Sequence, residues 1–294
     1  MSPKKTLNRL LFHRCLFFVP DSCLFPSKWE GTWFQSGVIH SISIDKSRLS
    51  TKGRCVEAEG DKFVVVDEKT GCFRCVVIHE KHVNVLQYKE TFCHKAKASL
   101  QSLCSLITGD ALLYSMFRVE AMPVDCPFKG PLSFTYNRGH GECRSPVSSI
   151  DSCTEESRLL LRYQACPDEL QCLATWKEGS SRYLVGKIHH SHATSNEDRY
   201  RCFVYEKSAL PSAGDVGSEG LYPRDEGVDY RVAQSGDATC NGLFSPMEGS
   251  RTMTLRKVKI AKKKKTVIGL SPAEIIYICI SPHNRFLRIS QCKK

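Results

Sequence analysis

The residues best suited to chemistry in this chain are thiols and imidazoles. Cys72-x-x-Cys75, with Cys93-His94 downstream, has a spacing at which thiolates bind zinc or cycle between dithiol and disulfide. A tetrahedral zinc site needs a second pair of ligands, and no other Cys-x-x-Cys or His-x3-His supplies one. Cys72 and Cys75 are therefore expected in two disulfides to different partners. His189-His190-x-His192 is rich in metal-binding nitrogens, but its place at a strand end beside Ser191 and Thr194 reads as a polar loop. No Gly-x-Ser-x-Gly elbow, Gly-x-Gly-x-x-Gly turn or Gly-x4-Gly-Lys-Ser/Thr loop occurs. No catalytic residue, metal ligand or cofactor is assigned, and the chain reads as a non-enzyme. Thiol or metal chemistry at Cys72 and Cys75 remains a third reading.

What must position these groups is a cysteine framework. Thirteen of the 16 cysteines lie from Cys23 to Cys240. Thiols at that density imply disulfides in an oxidising compartment, stapling small domains that bury too little apolar surface alone. The candidates are Cys23, Cys55, Cys72, Cys75, Cys93, Cys104, Cys126, Cys143, Cys153, Cys166, Cys172 and Cys202. Thirteen is odd, and Cys240, isolated beyond a loop, is the expected orphan. The formal charge of +11 arises wholly from 251–294, where twelve Lys/Arg face one acid, Glu274. Residues 1–250 balance to zero, so the body offers no long-range attraction to phosphate and no nucleic-acid partner is expected.

Hydrophobic patterning has the period of strands. Thr32–Ile44, Lys62–Asp67, Cys72–His79, His82–Tyr88, Ala111–Val119, Leu132–Tyr136, Leu159–Gln164, Tyr183–Ile188 and Arg201–Tyr205 read as strands, and 94–107 as the one helical stretch. The expected fold is mostly β: tandem small disulfide-stapled antiparallel domains with one short helix and a disordered basic tail. The expected divisions are a degenerate signal segment at 1–22, cysteine-rich domains at 23–107, 108–167 and 168–255, and the tail at 256–294. The third domain carries a Gly/Ser/Pro-rich loop at 208–229. No stretch reaches the ~20 apolar residues of a membrane span.

A weak internal repeat runs through this body. Cys23, Trp29, Gly31 and Gly37 precede Phe73-Arg74-Cys75 and Glu80-Lys81. Cys172, Trp176, Gly179 and Gly186 precede Tyr200-Arg201-Cys202 and Glu206-Lys207. The shared order points to a duplicated β domain and suggests equivalent disulfides Cys23–Cys75 and Cys172–Cys202. Gly31-x-Trp33 also resembles the first strand of lipocalin-like barrels, in which a Trp closes the barrel floor. Trp29, Gly31, Trp33 and Trp176 would then line a cavity for a small apolar ligand, although a Trp packed on a disulfide in a filled core explains the same residues.

The segments Cys23–Gly37, Gly71–Lys81 and Cys126–Tyr136 resemble an arthropod family of cysteine-rich proteins built from tandem domains of unknown function. The resemblance spans about residues 23–255. It implies a secreted or membrane-anchored ectodomain of three cysteine-rich modules, and supplies no catalytic residues. Past Leu255 the chain departs from the pattern. The expected function is extracellular, non-enzymatic binding of a surface protein or matrix, with a lipocalin-like carrier of a small apolar ligand as the alternative.

Overall fold

The computed structural model describes residues 23–151, 155–163, 167–189, 193–208 and 229–258. The expected signal segment, most of the 208–229 loop and the tail beyond 258 lie outside them. Strands β1 (Gly31–Gln35), β2 (Ile42–Asp45), β3 (Arg48–Leu49), β4 (Gly53–Glu59), β5 (Lys62–Asp67), β6 (Cys72–His82), β7 (Val85–Glu90) and β8 (Tyr114–Arg118) pair in chain order and close a barrel. Closure is antiparallel, with Phe34 of β1 opposite Phe117 of β8. A second closed barrel follows the same plan with β9 (Leu132–Asn137), β10 (Glu142–Asp151), β11 (Arg158–Arg162), β12 (Pro167–Glu178), β13 (Ser181–His189), β14 (Tyr200–Lys207), β15 (Tyr230–Gln234) and β16 (Arg251–Lys257). Met253 of β16 pairs with Tyr136 of β9 to complete it. Closing each sheet on itself leaves no unpaired edge, and eight strands leave an interior that side chains can fill or that can hold one small ligand.

The expected middle unit, 108–167, is not separate. β8 is the partner that β1 requires for closure, while β9, β10 and β11 belong to the second barrel. The third domain's expected boundary at 255 also falls inside β16, whose pairing with β9 runs to Lys257.

Alternation sorts each strand into an inner and an outer face. Trp33, Ile42, Ile44, Phe63, Val76 and Ile78 fill the first barrel. Phe134, Leu161, Leu184, Phe203, Met253 and Leu255 belong to the interior of the second. On the first barrel's outer wall lies α1 (Leu100–Cys104), whose N-cap Ser99 accepts from the Ser102 N–H and whose Leu100 and Leu103 pack on Val64 and Cys75. This helix is shorter than the 94–107 stretch expected. A second, α2 (Asn196–Arg199), was not expected and has a capping box between Ser195 and Asp198.

The barrels pack wall to wall. Tyr200 of β14 is stacked between Phe34 (4.9 Å) and Phe117 (5.4 Å) of the first barrel. Around it gather Val85, Leu173, Ala174 and Val185. Polar clasps flank this seam: Glu197 accepts from Ser36 Oγ and the Gly37 N–H, both at 2.7 Å, and Lys81 pairs with Glu178 at 3.0 Å. Asn84 Nδ2 donates to the Met122 and Leu173 carbonyls, tying the connecting segment to both barrels.

Candidate functional site

Five disulfides occur among the described residues: Cys23–Cys55, Cys72–Cys93, Cys75–Cys104, Cys126–Cys172 and Cys202–Cys240, with Cα separations of 5.3, 5.5, 5.1, 5.5 and 5.2 Å. These are ordinary spans for the bond. The expected pairs Cys23–Cys75 and Cys172–Cys202 do not form. Cys55 and Cys172 face the barrel interiors, whereas Cys75 and Cys202 face outward, so the strand carrying Cys75 cannot meet Cys23. Cys240, expected as the orphan, is bonded to Cys202. Cys72 and Cys75 bond to different partners, as their spacing suggested. Cys153, Cys166 and the side chain of Cys143 lie outside the described residues, as do His190 and His192 of the histidine motif.

The staples reveal a deeper repeat than the one legible in sequence. In each barrel a cysteine ahead of the first strand (Cys23, Cys126) bonds to the fourth strand (Cys55, Cys172). Each fourth strand slips register right after that cysteine. A sixth-strand cysteine (Cys75, Cys202) bonds to the segment between the seventh and eighth strands (Cys104, Cys240). Its N–H donates to a hydroxyl just past the seventh strand, Thr91 in one barrel and Ser235 in the other, both at 3.0 Å. The Arg-Cys of the sixth strands was aligned correctly from sequence. Trp176 was not: it lies on the outer wall of β12, stacked on Tyr183 at 5.1 Å in the seam cluster, and is no counterpart of Trp29.

One end of the first barrel is sealed by residues that the sequence singled out. Trp33 is fully buried, and its Nε1 donates to the Trp29 carbonyl at 2.8 Å. Opposite it in register, the Arg118 guanidinium lies 4.3 Å from the Trp33 ring centre. Its Nη1, Nη2 and Nε donate to the carbonyls of Glu30, Lys28 and Val83. Gly31 is required there: φ is +127°, and a Cβ would sit 2.9 Å from Arg118 Nη1. Trp29 Nε1 donates to Glu80 at 2.6 Å, and that carboxyl is held below its usual range by Lys28 and Trp29 against the opposing effect of burial. Beside this seal an open crevice of about 390 Å³ is lined by Lys28, His82, Val83, Asn84 and Met122. Burial pushes the His82 pKa down.

At the opposite end, polar side chains close the first barrel. Glu90 accepts from Lys52 at 2.6 Å and from Arg74 at 3.1 Å. Tyr88 donates to Gln35 at 2.9 Å and stacks on Tyr114, and Lys52 lies 5.6 Å from both rings. Burial, with Glu90 adding to it, pushes the Tyr88 pKa up.

The corresponding mouth of the second barrel is built differently. Val232 and Met253 face the interior, so alternation puts Gln234 and Arg251, two residues on and directly paired, on the same inner face. Arg251 lies 4.4 Å from the Tyr163 ring and 5.8 Å from Tyr136, and its Nη1 reaches Gln234 Oε1 at 3.5 Å. Arg138 covers Tyr136 at 5.5 Å. Ser148, paired with Phe134, is 2% exposed, and the β10–β11 register extended by one residue sets it opposite Tyr163. Burial raises the Tyr163 pKa, while Arg251 opposes that shift. Among the described residues the buried Ser148 Oγ, Tyr163 Oη and Arg251 Nε make no well-formed hydrogen bond, although the Tyr163 hydroxyl lies within reach of the Arg251 guanidinium. None of these residues was singled out from sequence. The inward Arg in each aromatic-Arg-Cys strand was the available signal.

Two domain families match, one over each barrel. Residues 21–108 match a domain of unknown function (DUF7044), and residues 122–257 match a domain of unknown function (DUF7042). No curated protein and no solved structure matches the chain. The first match ends ahead of β8, yet β8 closes that barrel. Eight-stranded closed barrels with an aromatic-and-arginine seal are compatible with lipocalin-like barrels. The disulfides are those of an oxidising environment. Among the described residues no helix is long and apolar enough to cross a membrane, and no cluster of three or more His, Cys, Asp or Glu could hold a metal.

Proposed function

We propose that this protein is a non-enzymatic, extracellular binding protein whose second barrel holds a small molecule at its mouth. The observation that carries this reading is the trio of buried polar atoms there that make no well-formed hydrogen bond among the described residues: Ser148 Oγ, Tyr163 Oη and Arg251 Nε. A buried polar group left unpaired costs about 1–3 kcal/mol, so three on one inner surface favour a ligand that satisfies them. At the same level of the first barrel Glu90 takes both cations, and Arg74 Nε is the one buried polar side-chain atom there without a hydrogen bond among the described residues, against three in the second barrel. Its closed end, sealed by Trp33 and Arg118, supports a scaffolding role. The test is native mass spectrometry of the disulfide-bonded chain purified from its own tissue. A small-molecule adduct that is lost on denaturation is expected. A clean apo mass, with no change in Tyr or Trp emission across a ligand library, would overturn the reading.

Adhesion to a surface protein or matrix is the second reading. It is supported by Ile39, Phe92 and Leu112, which are 95%, 91% and 68% exposed and belong to segments around the first barrel's mouth. Replacing all three with Ser abolishes cell-surface or matrix binding if this reading holds. Unchanged binding excludes it.

A further inference from the structure

The two barrels are the same device with one telling difference. In each, the sixth strand carries an inward arginine immediately before its outward cysteine: Arg74 before Cys75, Arg201 before Cys202. In each, the residue just ahead of the hydroxyl that caps that cysteine's N–H faces inward beside the arginine. In the first barrel this residue is Glu90, which neutralises Arg74 and Lys52 together. In the second it is Gln234, of the same length but without charge. A further arginine, Arg251, pairs with Gln234, and Arg138 stands over Tyr136 from the adjoining strand end. Among the described residues none of Arg138, Arg201 and Arg251 is in an ion pair. Arg201 spends its Nη1 on the Glu197 and Tyr200 carbonyls. The acids in the neighbourhood are Asp168 near Tyr163, and Asp198, Asp237 and Glu197 near Arg201. None of these takes the place that Glu90 occupies in the first barrel.

Resting on the ligand-binding reading above, we propose that the ligand of the second barrel is a small organic carboxylate, whose anionic head occupies the position filled in the first barrel by the carboxylate of Glu90. The chemistry of the donors fits that head. Arg251 offers the unpaired Nε, on the side of the guanidinium away from Gln234, and Ser148 and Tyr163 offer hydroxyl donors. A carboxylate takes such donors in charge-assisted, fork-like hydrogen bonds, about twice as strong as neutral ones. The ring of Tyr163 stands edge-on to those of Tyr136 and Phe134, forming an aromatic wall beside the head. Met253 and Leu255, paired directly with Tyr136 and Phe134, and Phe203, paired with Gln234, fill the adjoining interior, which favours a compact apolar body over a long chain.

The experiment is titration calorimetry of the full, disulfide-bonded chain with benzoate, octanoate and palmitate, and with benzamide as the uncharged isostere of benzoate. Benzoate and octanoate are expected to bind, and benzamide to bind roughly tenfold or more weakly, the scale of one lost charged hydrogen-bond partner. Gln234→Glu restores the first barrel's internal carboxylate. It should abolish carboxylate binding while leaving the thermal midpoint equal to or above that of the parent. Ser148→Ala should weaken benzoate without unfolding the barrel. Equal binding of benzoate and benzamide, or benzoate binding untouched by Gln234→Glu, overturns the proposal. If no probe binds but a neutral molecule co-purifies in native mass spectrometry, the carboxylate assignment fails and the ligand-binding reading stands. If nothing binds and nothing co-purifies, ordered water satisfies the three atoms and both fail.

Discussion

Replacing Arg118 with Ala should unfasten the sealed end of the first barrel. The guanidinium stacks on Trp33 at 4.3 Å, and such a contact contributes about 0.5–2 kcal/mol depending on how dry it is. It also donates to three backbone carbonyls, those of Lys28, Glu30 and Val83, at 2.6, 2.8 and 3.2 Å. At this partly exposed site each is worth about 1 kcal/mol or less, since water replaces the lost donor. The sum is about 3 kcal/mol, a large share of the 5–15 kcal/mol typical of a domain. Arg118→Lys keeps a charge over the ring but cannot span three acceptors, so it should recover less than half of the loss. The assay is urea unfolding of the oxidised chain in a Trp176→Phe background. Emission then reports Trp29 and Trp33 alone, both in the first barrel. With a urea slope of about 1–3 kcal/mol/M, the midpoint of that transition should fall by about 1–3 M. A loss below about 1 kcal/mol, or a lysine variant equal to the parent, would refute the argument that this arginine holds the seal.

Non-reducing peptide mapping should recover Cys202 linked to Cys240, and replacing both by Ser should cost about 4 kcal/mol for a loop of 38 residues; recovery of Cys172–Cys202 would contradict the barrel register. Gly31→Ala should destabilise the first barrel by more than about 1 kcal/mol, because φ is +127° and the new Cβ meets Arg118 Nη1 at 2.9 Å; a neutral result in thermal melts would show that the strand end relaxes freely. Burial raises the Tyr200 pKa from 10.0 to about 12, so the folded state holds this proton more tightly than the unfolded chain. Its contribution is complete below pH 10 and is lost as pH rises towards 12, by up to about 2.7 kcal/mol at 1.36 kcal/mol per unit. Tyr200→Phe should flatten the fall of the urea midpoint between pH 10 and 12, and an unchanged slope would exclude Tyr200 as its source.

Strands with strong alternation or a short apolar run were legible. Lys62–Asp67 is a strand with the bounds expected, and the aromatic-Arg-Cys segments are the sixth strands of both barrels. Gly53–Glu59 escaped notice because only Cys55 of its seven residues is buried, so its acids read as a loop. The expected boundary at 255 splits Arg251–Lys257 because its last two residues, Arg256 and Lys257, read as the start of the basic tail, yet it is one strand whose inner face is Met253 and Leu255. The repeat was aligned wrongly in its first half because Trp176 follows a cysteine much as Trp29 does. The better guide was Cys-x-Phe: Cys23-Leu24-Phe25 and Cys126-Pro127-Phe128 both precede a first strand, and both Phe rings are buried. Disulfide partners could not be read, because a strand covered on both faces gives no sign of which way its cysteine points. The second barrel's mouth could not be read either. It draws Gln234, Arg251 and Ser148 from three strands and Tyr163 from just past the end of a fourth, which meet only once the sheet closes.

Each of the five bridges begins and ends within one barrel, so among the described residues no covalent tie other than the connecting segment spans the two halves. The seam they share is nevertheless aromatic, with Tyr200 of one half sandwiched between Phe34 and Phe117 of the other. A protease that cut between Ala121 and Asp125 would therefore leave two self-sufficient pieces with strong reason to stay together. Nicked material should migrate as one species in native gels and as two under denaturant, even without reductant. The same property makes this chain a natural candidate for split-protein reassembly, each half folding alone and reporting the other's presence when the seam re-forms.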